Sequence, residues 1–495
     1  MANHLYIRQN NQTYTISFDI GDNLLDILRA NHIAVHAPCG GLTTCGKCMV
    51  DTHKGKLLAC KTTLDESFLH TTVYVPDTGH MKILAAYENP YPAPCDRPNA
   101  SYGIAIDIGT TTLAFELLDM AKGVSMATHS AVNSQREFGA DVISRITNAV
   151  AGAAPRLYAA VKKDILDGIG HIIYQGAVSP KDISLVAITG NTTMLHLLLN
   201  EPCDSLGVAP FAPVFIHMKT LSFHKLLGSH FLDCDVIILP GISTFVGADI
   251  SAGILCAGWQ NTPGNHLLID LGTNGEMALF SNNRIIVTST AAGPAFEGGN
   301  ISMGIGSVNG AIAKVRYFAK NYVYSYETIG NLPPRGICGT GVVDIAAELV
   351  RHQLVDETGL IASGKDITIA PGITFTQRDV REIQLAKSAI RAGIEILLEM
   401  AGVGYPALST VYIAGGFGHK IDLQNAVALG IIPAALADKV VPLGNAALGG
   451  CGKVLLSSAA TANIKKLAAM ATEVNLAAHP RFNELFMEYM GFDSH

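Results

Sequence analysis

Residues 38–60, PCGGLTTCGKCMVDTHKGKLLAC, decide how the chain is organised. This stretch contains four of the ten cysteines, Cys39, Cys45, Cys48 and Cys60, in the spacing C-x5-C-x2-C-x11-C. Thiols placed this close together in a reduced, cytosolic protein usually bind metal instead of pairing as disulfides. The stretch therefore predicts a metal centre held by these four thiolates.

The spacing favours a [2Fe–2S] cluster over a zinc ion. Three clustered cysteines followed by a remote fourth are typical of plant-type ferredoxins, although the first gap here has five residues instead of four. A structural zinc site would more often pair two short knuckles, and no second knuckle follows in the sequence. Zinc and unligated thiols are the alternatives. Small residues in the loop would let backbone N–H groups approach inorganic sulfides: Gly40, Gly41, Thr43, Thr44 and Gly46.

The segments on both sides of the cysteine loop predict a small β-grasp domain over residues 1–76. Residues 3–9 and 12–18 alternate in polarity as strands do, and a short amphipathic helix is expected after a cap at Asp22 or Asn23. Further strands are expected at 48–52 and 71–75. The unit is short for a core of its own, so a bound cluster would help to hold it together.

Residues 77–101 predict a linker between this domain and the rest of the chain. They show little periodicity and contain Pro90, Pro92, Pro94 and Pro98. Proline-rich segments of this kind are semi-extended. An electron carrier on such a tether could visit a partner and withdraw.

The composition of the 495-residue chain indicates large α/β cores. Apolar residues make up 49% and charged residues 15%, against about 25% in typical globular domains, and there are 49 glycines. The net charge of −7 argues against nucleic-acid or anionic-membrane binding. The N-terminus lacks the apolar core of a signal peptide, and no uncharged stretch is continuous enough for a membrane span. We therefore expect a cytoplasmic protein with neither a nucleic-acid nor a membrane partner.

Two similar hairpins, with Asp107 and Asp270 at the ends of their first strands, predict an internal duplication. Glycines in their turns would let backbone N–H groups meet phosphate oxygens, and threonine hydroxyls would add donors. The two aspartates, brought face to face, would hold a hydrated Mg²⁺. One such turn is weak evidence, but two in repeat indicate a nucleotide clamp. The turns consist of Gly109, Thr110, Thr111 and Thr112 in the first hairpin and of Gly272, Thr273, Asn274 and Gly275 in the second.

A third glycine turn is expected to border the adenosine of the nucleotide. Residues 410–414 form an apolar strand that leads into Gly415, Gly416, Phe417 and Gly418. Open α/β sheets bind nucleotides at such turns, beyond the carboxyl ends of their strands. Alone, the sequence is typical of any tight βα turn. As the third element after two phosphate hairpins, it fits the adenosine side of the cleft.

This three-part pattern resembles the ATPase superfamily of actin, hexokinase, acetate kinase and heat-shock chaperones. The resemblance implies an α/β, multi-domain chain with two ribonuclease-H-like lobes, at 102–262 and 263–475, and a C-terminal helical extension at 476–495. Within the superfamily, the chain is more closely similar to the reductive activators of corrinoid-dependent methyltransferases, which join a [2Fe–2S] ferredoxin domain to such an ATPase domain. Many members carry a further domain in place of the short linker. The motifs that carry the closer similarity include NSQREFGADVISRI (133–146), TGNTTMLHLLL (189–199), LPGISTFVGADISAG (239–253), TAAGPAFEGGNISMGI (290–305) and IAGGFG (413–418).

The resemblance implies ATP-dependent, one-electron reduction of Co(II) to Co(I) in a corrinoid protein, with a [2Fe–2S] cluster, ATP and Mg²⁺ as cofactors. Plant-type clusters have potentials near about −400 mV, and corrinoid Co(II) is generally harder to reduce. ATP would therefore have to favour a conformation in which the cobalt accepts the electron more readily. The expected partners are the corrinoid protein, an external low-potential electron donor and, as one open alternative, a second copy of the chain in a homodimer. Methanol, methylamines, glycine betaine and aryl methyl ethers are all candidate methyl donors.

The resemblance also suggests roles for individual residues. Asp107 and Asp270 would position Mg²⁺ through water, and Asp249 would orient the attacking water. Asp249 could equally be an acid favoured by the dipole at a helix start. Asn191 either meets the nucleotide or partner or caps the helix that follows it, and His196 is expected to be a core histidine.

Three other functions remain open. A small-molecule kinase uses the same clamp, but it has no use for a one-electron carrier. An activator of a radical dehydratase is also an iron–sulfur ATPase, but it generally holds a [4Fe–4S] cluster between two subunits. A redox-sensing module with a non-catalytic ATPase half would show no hydrolysis stimulated by a corrinoid partner.

Overall fold

The computed structural model describes most of the chain, and its described residues form five sheets and thirteen α-helices. None of the described helices combines the length and the apolarity that a bilayer crossing needs. The residues outside this description are 1, 2, 10, 11, 32, 34, 36, 38–40, 42, 44–47, 54, 77–86, 88, 92–94, 98, 99, 140, 260, 261, 321, 322, 417–419 and 493–495.

The amino-terminal part forms the predicted β-grasp domain. Its elements are β1 (Asn3–Gln9), β2 (Gln12–Phe18), α1 (Leu24–Ala30), β3 (Met49–Thr52), β4 (Gly55–Leu58) and β5 (Thr72–Tyr74). The strand order is β2-β1-β5-β3-β4, with β1 parallel to β5. Asn23 caps α1, and its side chain accepts the N–H of Leu25. Leu5, Leu24 and Val73 are fully buried between helix and sheet. Strand β4 was not predicted.

The next part of the chain builds a six-stranded sheet, the first large sheet, in the order β10-β11-β9-β6-β7-β8. Its strands are β6 (Tyr102–Ile108), β7 (Thr112–Asp119), β8 (Val124–Val132), β9 (Ile183–Gly190), β10 (Lys219–Ser222) and β11 (Asp235–Ile238). The helices are α2 (Val142–Asn148), α3 (Ala154–Gln175), α4 (Thr192–Leu199), α5 (Asp204–Gly207), α6 (Phe223–Leu227) and α7 (Ala248–Ala257).

The remainder builds the second large sheet, in the order β21-β20-β12-β13-β14-β22, and two small sheets, β16-β15-β17 and β18-β19. The strands are β12 (Asn265–Leu271), β13 (Gly275–Ser281), β14 (Arg284–Thr290), β15 (Ala311–Phe318), β16 (Val323–Thr328), β17 (Gly336–Ile337), β18 (Ile367–Ala370), β19 (Ile373–Phe375), β20 (Leu408–Ala414), β21 (Val440–Gly444) and β22 (Ala471–Glu473). The helices are α8 (Gly339–Arg351), α9 (Gln377–Ala401), α10 (Leu423–Ala428), α11 (Ala446–Leu456), α12 (Ser458–Met470) and α13 (Phe482–Glu488). Helix α13 packs against α9.

The two large sheets repeat one plan, as the duplicated hairpins predict. In the first, β6 pairs antiparallel with β7 and parallel with β9. In the second, β12 pairs antiparallel with β13 and parallel with β20. Asp107 on β6 and Asp270 on β12 therefore occupy equivalent places in two related sheets. This is the fold class that the resemblance implies.

Helices α7 and α11 pack tightly together between the two sheets. A Cβ atom on Gly450 of α11 would lie 2.2 Å from the carbonyl oxygen of Ala252 on α7, so only glycine permits this approach. Helix α11 follows a strand of the second large sheet but also packs on β6 of the first. The α7–α11 pair therefore connects the two halves of the molecule.

The described part of the predicted linker is docked on this helix pair. The rings of Tyr87 and Tyr91 are buried, with centroids 5.0 Å apart, and the Tyr91 hydroxyl donates to Glu116 Oε2 at 2.6 Å. The Arg97 guanidinium donates to the carbonyl oxygens of Val454 and Leu455, both at 2.9 Å. Of the semi-extended tether expected over residues 77–101, residues 77–86 lie outside the described residues.

Candidate functional site

The turn of the first hairpin is shaped for a tight approach to a ligand. The N–H of Gly109 donates to the carbonyl of Thr112 at 2.9 Å, and a Cβ atom on Gly109 would lie 2.8 Å from that oxygen. Arg145 stabilises the turn from behind, because its buried guanidinium donates to the carbonyl of Thr110 at 2.6 Å. Burial lowers the pKa of Arg145 to about 10. Thr110 also accepts the side-chain amide of Asn191 at 3.0 Å.

Asp107 lies beside this turn and is held from the other half of the molecule. Its Oδ2 accepts the Nδ2–H of Asn445 at 2.9 Å, and Asn445 caps α11. Helix α11 therefore fixes one oxygen of a carboxyl group that belongs to the first large sheet. The position of this carboxyl group depends on how the two halves pack.

The second hairpin and the third glycine turn meet at Asp270. The N–H of Gly272 donates to the carbonyl of Asn274 at 3.1 Å and closes the turn. Gly415 has a φ of +93°, and a Cβ atom there would lie 2.7 Å from Asp270 Oδ1. The structure therefore brings Gly415 to the second hairpin and Gly416 directly follows it, whereas Phe417 and Gly418 lie outside the described residues.

The two predicted phosphate turns face each other across one carboxyl group. The hydroxyls of Thr111 and Thr273 both donate to Glu297 Oε2, at 3.5 and 3.0 Å. Thr111 belongs to the first hairpin and Thr273 to the second. A single oxygen atom is thus within reach of both turns, so the pairing of hairpins predicted from the sequence is found in the structure.

Five half-buried acids lie close enough for their charges to act on one another: Asp107, Asp249, Asp270, Glu276 and Glu297. Burial raises the pKa of Asp107 to about 6. Burial, with the charges of Asp249, Asp107 and Glu297, raises the pKa of Asp270 to about 8. Burial also raises the pKa values of Asp249, Glu276 and Glu297, and for the last of these the Thr273 and Thr111 hydroxyls oppose the shift.

The donor set fits a hydrated divalent cation. No lysine or arginine of the described chain is among the groups that act on the pKa values of these acids. No three acidic, histidine or cysteine side chains of the described part lie close enough to ligate a metal ion directly. Mg²⁺ characteristically keeps several of its waters when proteins bind it. Carboxyl groups spaced in this way would hold such an ion through those waters.

The structure fits a structural role for three residues predicted from the sequence: Asp249 at a helix start, Asn191 as a helix cap and His196 in the core. Asn191 also fits its second interpretation, a residue at the nucleotide turns. Asp249 lies in the first turn of α7, where its Oδ1 accepts the N–H of Ile250 at 2.9 Å. Asn191 caps α4 by accepting the N–H of Met194, and it also contacts Thr110 of the first hairpin. His196 is buried and bonded to the carbonyl of Thr192, as expected for a core histidine.

Two of the four cysteines of the amino-terminal loop lie in the described residues. Cys48 is buried and Cys60 is half-buried, and the N–H of Cys60 donates to the sulfur of Cys48 at 3.4 Å. Amide hydrogen bonds to cysteine sulfur are among the contacts that tune iron–sulfur clusters, so this pair fits a cluster site. Cys39 and Cys45 lie outside the described residues.

The sequence analysis missed four residues of the cleft between the two hairpins: Arg145, Glu276, Glu297 and Asn445. Three of them had a local signal. Arg145 and Glu297 lie in motifs that were used only for the family resemblance, and Glu276 directly follows the second glycine turn. Asn445 follows a strand and precedes an apolar helix, which is typical of an ordinary cap.

Three family models cover nearly the whole chain. The 2Fe-2S iron-sulfur cluster binding domain matches residues 7–71, the RACo middle region matches 102–262, and the C-terminal domain of RACo, described as the ASKHA domain, matches 264–495. Fold and site together define an iron–sulfur protein fused to an ATPase domain of the actin and hexokinase type.

Individual relatives narrow this class to one family. The corrinoid activation enzyme RamQ of Eubacterium limosum is 34% identical over 430 residues, which cover 78% of this chain and 69% of the relative. A reductase of a methylated amine-specific Co(II) corrinoid protein from Methanosarcina barkeri is 28% identical over 417 residues, covering 78% and 76%. A solved structure of a reductive activator for a corrinoid, iron-sulfur protein superposes with a TM-score of 0.72 at 25% identity, covering 99% of this chain and 98% of that one. The chain belongs to this family of corrinoid reductive activators.

Proposed function

We propose that this protein uses ATP to drive the one-electron reduction of Co(II) to Co(I) in a corrinoid protein of a methyltransferase system. The observation that carries the proposal is the convergence of Thr111 and Thr273, from two repeated hairpins, on one point in a chain that also carries a ferredoxin domain. Both relatives named above act on corrinoid systems by name.

The nucleotide would bind between the two large sheets. Its phosphates would contact the two hairpin turns, Gly109–Thr112 and Gly272–Gly275, and its adenosine would border Gly415–Gly418. Asp107 and Asp270 would hold Mg²⁺ through water. When bound, Mg²⁺ supplies positive charge that offsets the charge of the phosphates. Burial raises the pKa values of both acids, and a bound cation would favour their ionised forms.

The electron would be held in the amino-terminal domain by Cys39, Cys45, Cys48 and Cys60. When bound, a [2Fe–2S] cluster supplies one electron at low potential. The N–H of Cys60 donates to Cys48 Sγ, and amide contacts of this kind tune iron–sulfur clusters. An external donor would return the electron after each cycle.

The α7–α11 pair is the element through which nucleotide binding would reach the rest of the molecule. Asp249 lies at the amino end of α7, and Asn445 caps α11 while it donates to Asp107. The carboxyl-terminal part of α11 contacts Arg97 of the linker. Closure of the cleft around ATP would shift one helix against the other and move the linker that leads to the electron carrier.

Anaerobic reconstitution tests this function. We expect two irons per chain and, after reduction, an absorption band of Co(I) that appears in a Co(II) corrinoid protein only when ATP is present. Corrinoid proteins for methanol, methylamines, glycine betaine and aryl methyl ethers should be compared to find the cognate one. A chain that stays free of iron, or that reduces cobalt equally well without ATP, would contradict the proposal.

A further inference from the structure

We infer that Glu297 is a catalytic residue of ATP hydrolysis, whose carboxyl group lies where the two phosphate turns converge and accepts a proton from the attacking water once ATP is bound. The inference rests on the proposed ATPase function and assigns a role to a residue that the sequence analysis did not single out. Four observations carry it: where two hydroxyls point, how the backbone around Glu297 is packed, which charges surround it and how Asp249 is engaged.

The first observation is the convergence of the two phosphate turns. Thr111 and Thr273 donate to the same atom, Glu297 Oε2, at 3.5 and 3.0 Å. Hydroxyls of phosphate-binding turns donate to phosphate oxygens when a nucleotide is present. The terminal phosphate of ATP would lie between the two turns, at the point that one hydroxyl from each hairpin can reach. Glu297 Oε2 is the atom at that point.

The second observation is that the backbone behind Glu297 is closely packed. Glu297 ends the short 3-10 helix Pro294–Glu297 and is followed by Gly298 at a φ of +77°. A Cβ atom on Gly298 would lie 2.6 Å from the carbonyl of Ile305, and one on Gly304 would lie 2.0 Å from the carbonyl of Gly298. These two glycines let the loop pack closely, so rotation of the Glu297 side chain is the smaller change that would make room for a phosphate.

The third observation is the charge around the displaced carboxyl group. A carboxylate directly against the γ-phosphate would be repelled by it, and four other acids already line the cleft. A water molecule between the two groups removes this conflict, because it donates a hydrogen bond to Glu297 and turns its oxygen toward phosphorus. Glu297 therefore has a position from which it can orient water, next to the phosphate but not in contact with it.

The chemical step balances without any further reactant. The water oxygen forms a bond to the γ-phosphorus while the bond from that phosphorus to the bridging oxygen of ADP breaks, and ADP keeps the electron pair. The proton that the water loses passes to the Glu297 carboxylate and then to the phosphate or to solvent. General-base assistance of this kind typically contributes about 10²–10⁴-fold to a rate.

The fourth observation separates Glu297 from Asp249, the acid chosen from the sequence. Asp249 Oδ1 accepts the N–H of Ile250 at the start of its own helix. Glu297 instead accepts hydrogen bonds from both phosphate turns. Glu297, which contacts both phosphate turns, is thus better placed than Asp249 to orient the attacking water.

The test is the variant Glu297→Gln, measured for phosphate release and for the affinities of ATP and ADP. We expect kcat to fall by about 100-fold or more while ATP binds several-fold more tightly, because a negative charge next to the γ-phosphate is gone. ADP, which lacks that phosphate, should bind as it does to the wild type. A purely structural role for Glu297 would weaken both nucleotides together.

The matched control is Glu382→Gln. Glu382 accepts the side-chain amide of Asn300, three residues along from Glu297, at 3.2 Å. It probes the same loop without contact to the phosphate turns and should leave kcat and both affinities unchanged.

Two results would overturn the assignment while the proposed function stands: a Glu297→Gln variant that hydrolyses ATP at the wild-type rate, or one in which ATP and ADP affinities fall in parallel. Failure of the proposed function can also be distinguished from failure of the Glu297 assignment, because phosphate release is measured without a corrinoid protein. If wild type hydrolyses ATP and Glu297→Gln does not, yet ATP never promotes cobalt reduction, the inference holds and the proposed function fails.

Discussion

At the scale of single residues, the cleft concentrates acids that a folded protein normally keeps in water. Asp107 and Asp270 end equivalent strands, and burial raises their pKa values to about 6 and about 8. A raised carboxyl pKa means that the folded chain binds protons that the unfolded chain has released. The empty protein is therefore more stable where these groups are protonated and loses that stability as the pH rises through their folded pKa values.

The sign of this linkage gives a prediction for thermal unfolding. With magnesium and nucleotide removed, the melting temperature of the wild type should fall from about pH 5 to about pH 8, because in that range the folded chain still holds protons on Asp107 and Asp270 that the unfolded chain has released. Mg²⁺ and ATP should restore most of the loss, since they bind the ionised acids.

Asp270→Asn should melt with a flatter dependence on pH and should lose its response to Mg²⁺ and ATP. Scanning calorimetry of the reduced holoprotein across this range provides the measurement. A melting temperature that rises with pH, or a variant with the same slope as the wild type, would count against the assignment of the raised pKa values.

A second residue-scale prediction concerns Gly415. In Gly415→Ala the new Cβ atom would lie 2.6 Å from the carbonyl of Leu271 and 2.7 Å from Asp270 Oδ1, at a φ of +93° that disfavours alanine. We expect ATP affinity to fall by at least about tenfold, with the iron content and the visible spectrum unchanged, because the strain acts directly on the cleft.

Gly372→Ala is the matched control for this change. Gly372 also has a left-handed backbone, with a φ of +74°, but its Cβ position is open. The control should lower stability by about 1 kcal/mol and leave nucleotide binding intact. Equal loss of ATP binding in both variants would show that Gly415 has no special place in the cleft.

At the scale of secondary-structure elements, the α7–α11 pair and the docked linker are the features that connect nucleotide and electron carrier. Arg97 donates to the carbonyls of Val454 and Leu455 at 2.9 Å and to the hydroxyl of Thr461 at 2.8 Å, so one side chain fastens the linker to the end of α11 and to α12. These contacts lie far along α11 from Asn445, which bonds Asp107 in the cleft.

This arrangement predicts that Arg97→Ala uncouples the two activities. ATP hydrolysis should stay within about twofold of the wild type, whereas ATP-dependent formation of Co(I) should fall by an order of magnitude, because linker and helix no longer move together. Hydrogen bonds to a charged group contribute about 1.5–3 kcal/mol each, so the variant should also unfold at lower denaturant concentration.

Arg284→Ala, a change at an exposed arginine at the start of β14, serves as the control for lost positive charge. Parallel loss of hydrolysis and cobalt reduction in Arg97→Ala would argue against a role in coupling and for a general loss of the fold.

The parts of the site that could be predicted from the sequence are those whose residues lie close together along the chain. The cysteine spacing, the strand that ends at Asp107 and the glycine turn after Asp270 each lie within a few residues, so their pattern is visible without a structure. Asn23 and Asn191 were recognisable as caps for the same reason.

Contacts between distant segments could not be predicted in this way. Glu297 and Thr111 are 186 positions apart, and Asn445 and Asp107 are 338 positions apart. Only the packing of two lobes brings each pair together, and no local pattern encodes it. The docking of Tyr91 and Arg97 is invisible for the same reason, because a proline-rich segment predicts extension but not the surface that the segment covers.

At the scale of the whole molecule, one fold unit is used twice and an electron carrier is attached to it. The two large sheets share their central topology, so the ends of β6 and β12 face a common cleft. Two related sheets that share a cleft can close around a nucleotide from both sides, and ATP binding would favour this closed conformation. Closure of the cleft can drive cobalt reduction only if the cluster transfers its electron in step with ATP hydrolysis.

Rapid mixing tests that claim most directly. The reduced protein is combined anaerobically with its Co(II) corrinoid partner, with and without ATP, while oxidation of the cluster and formation of Co(I) are followed in the same optical trace. We expect one Co(I) per chain, formed in step with cluster oxidation and only when ATP is present. Cobalt reduced equally fast without ATP, or ATP consumed while the cluster stays reduced, would contradict the account.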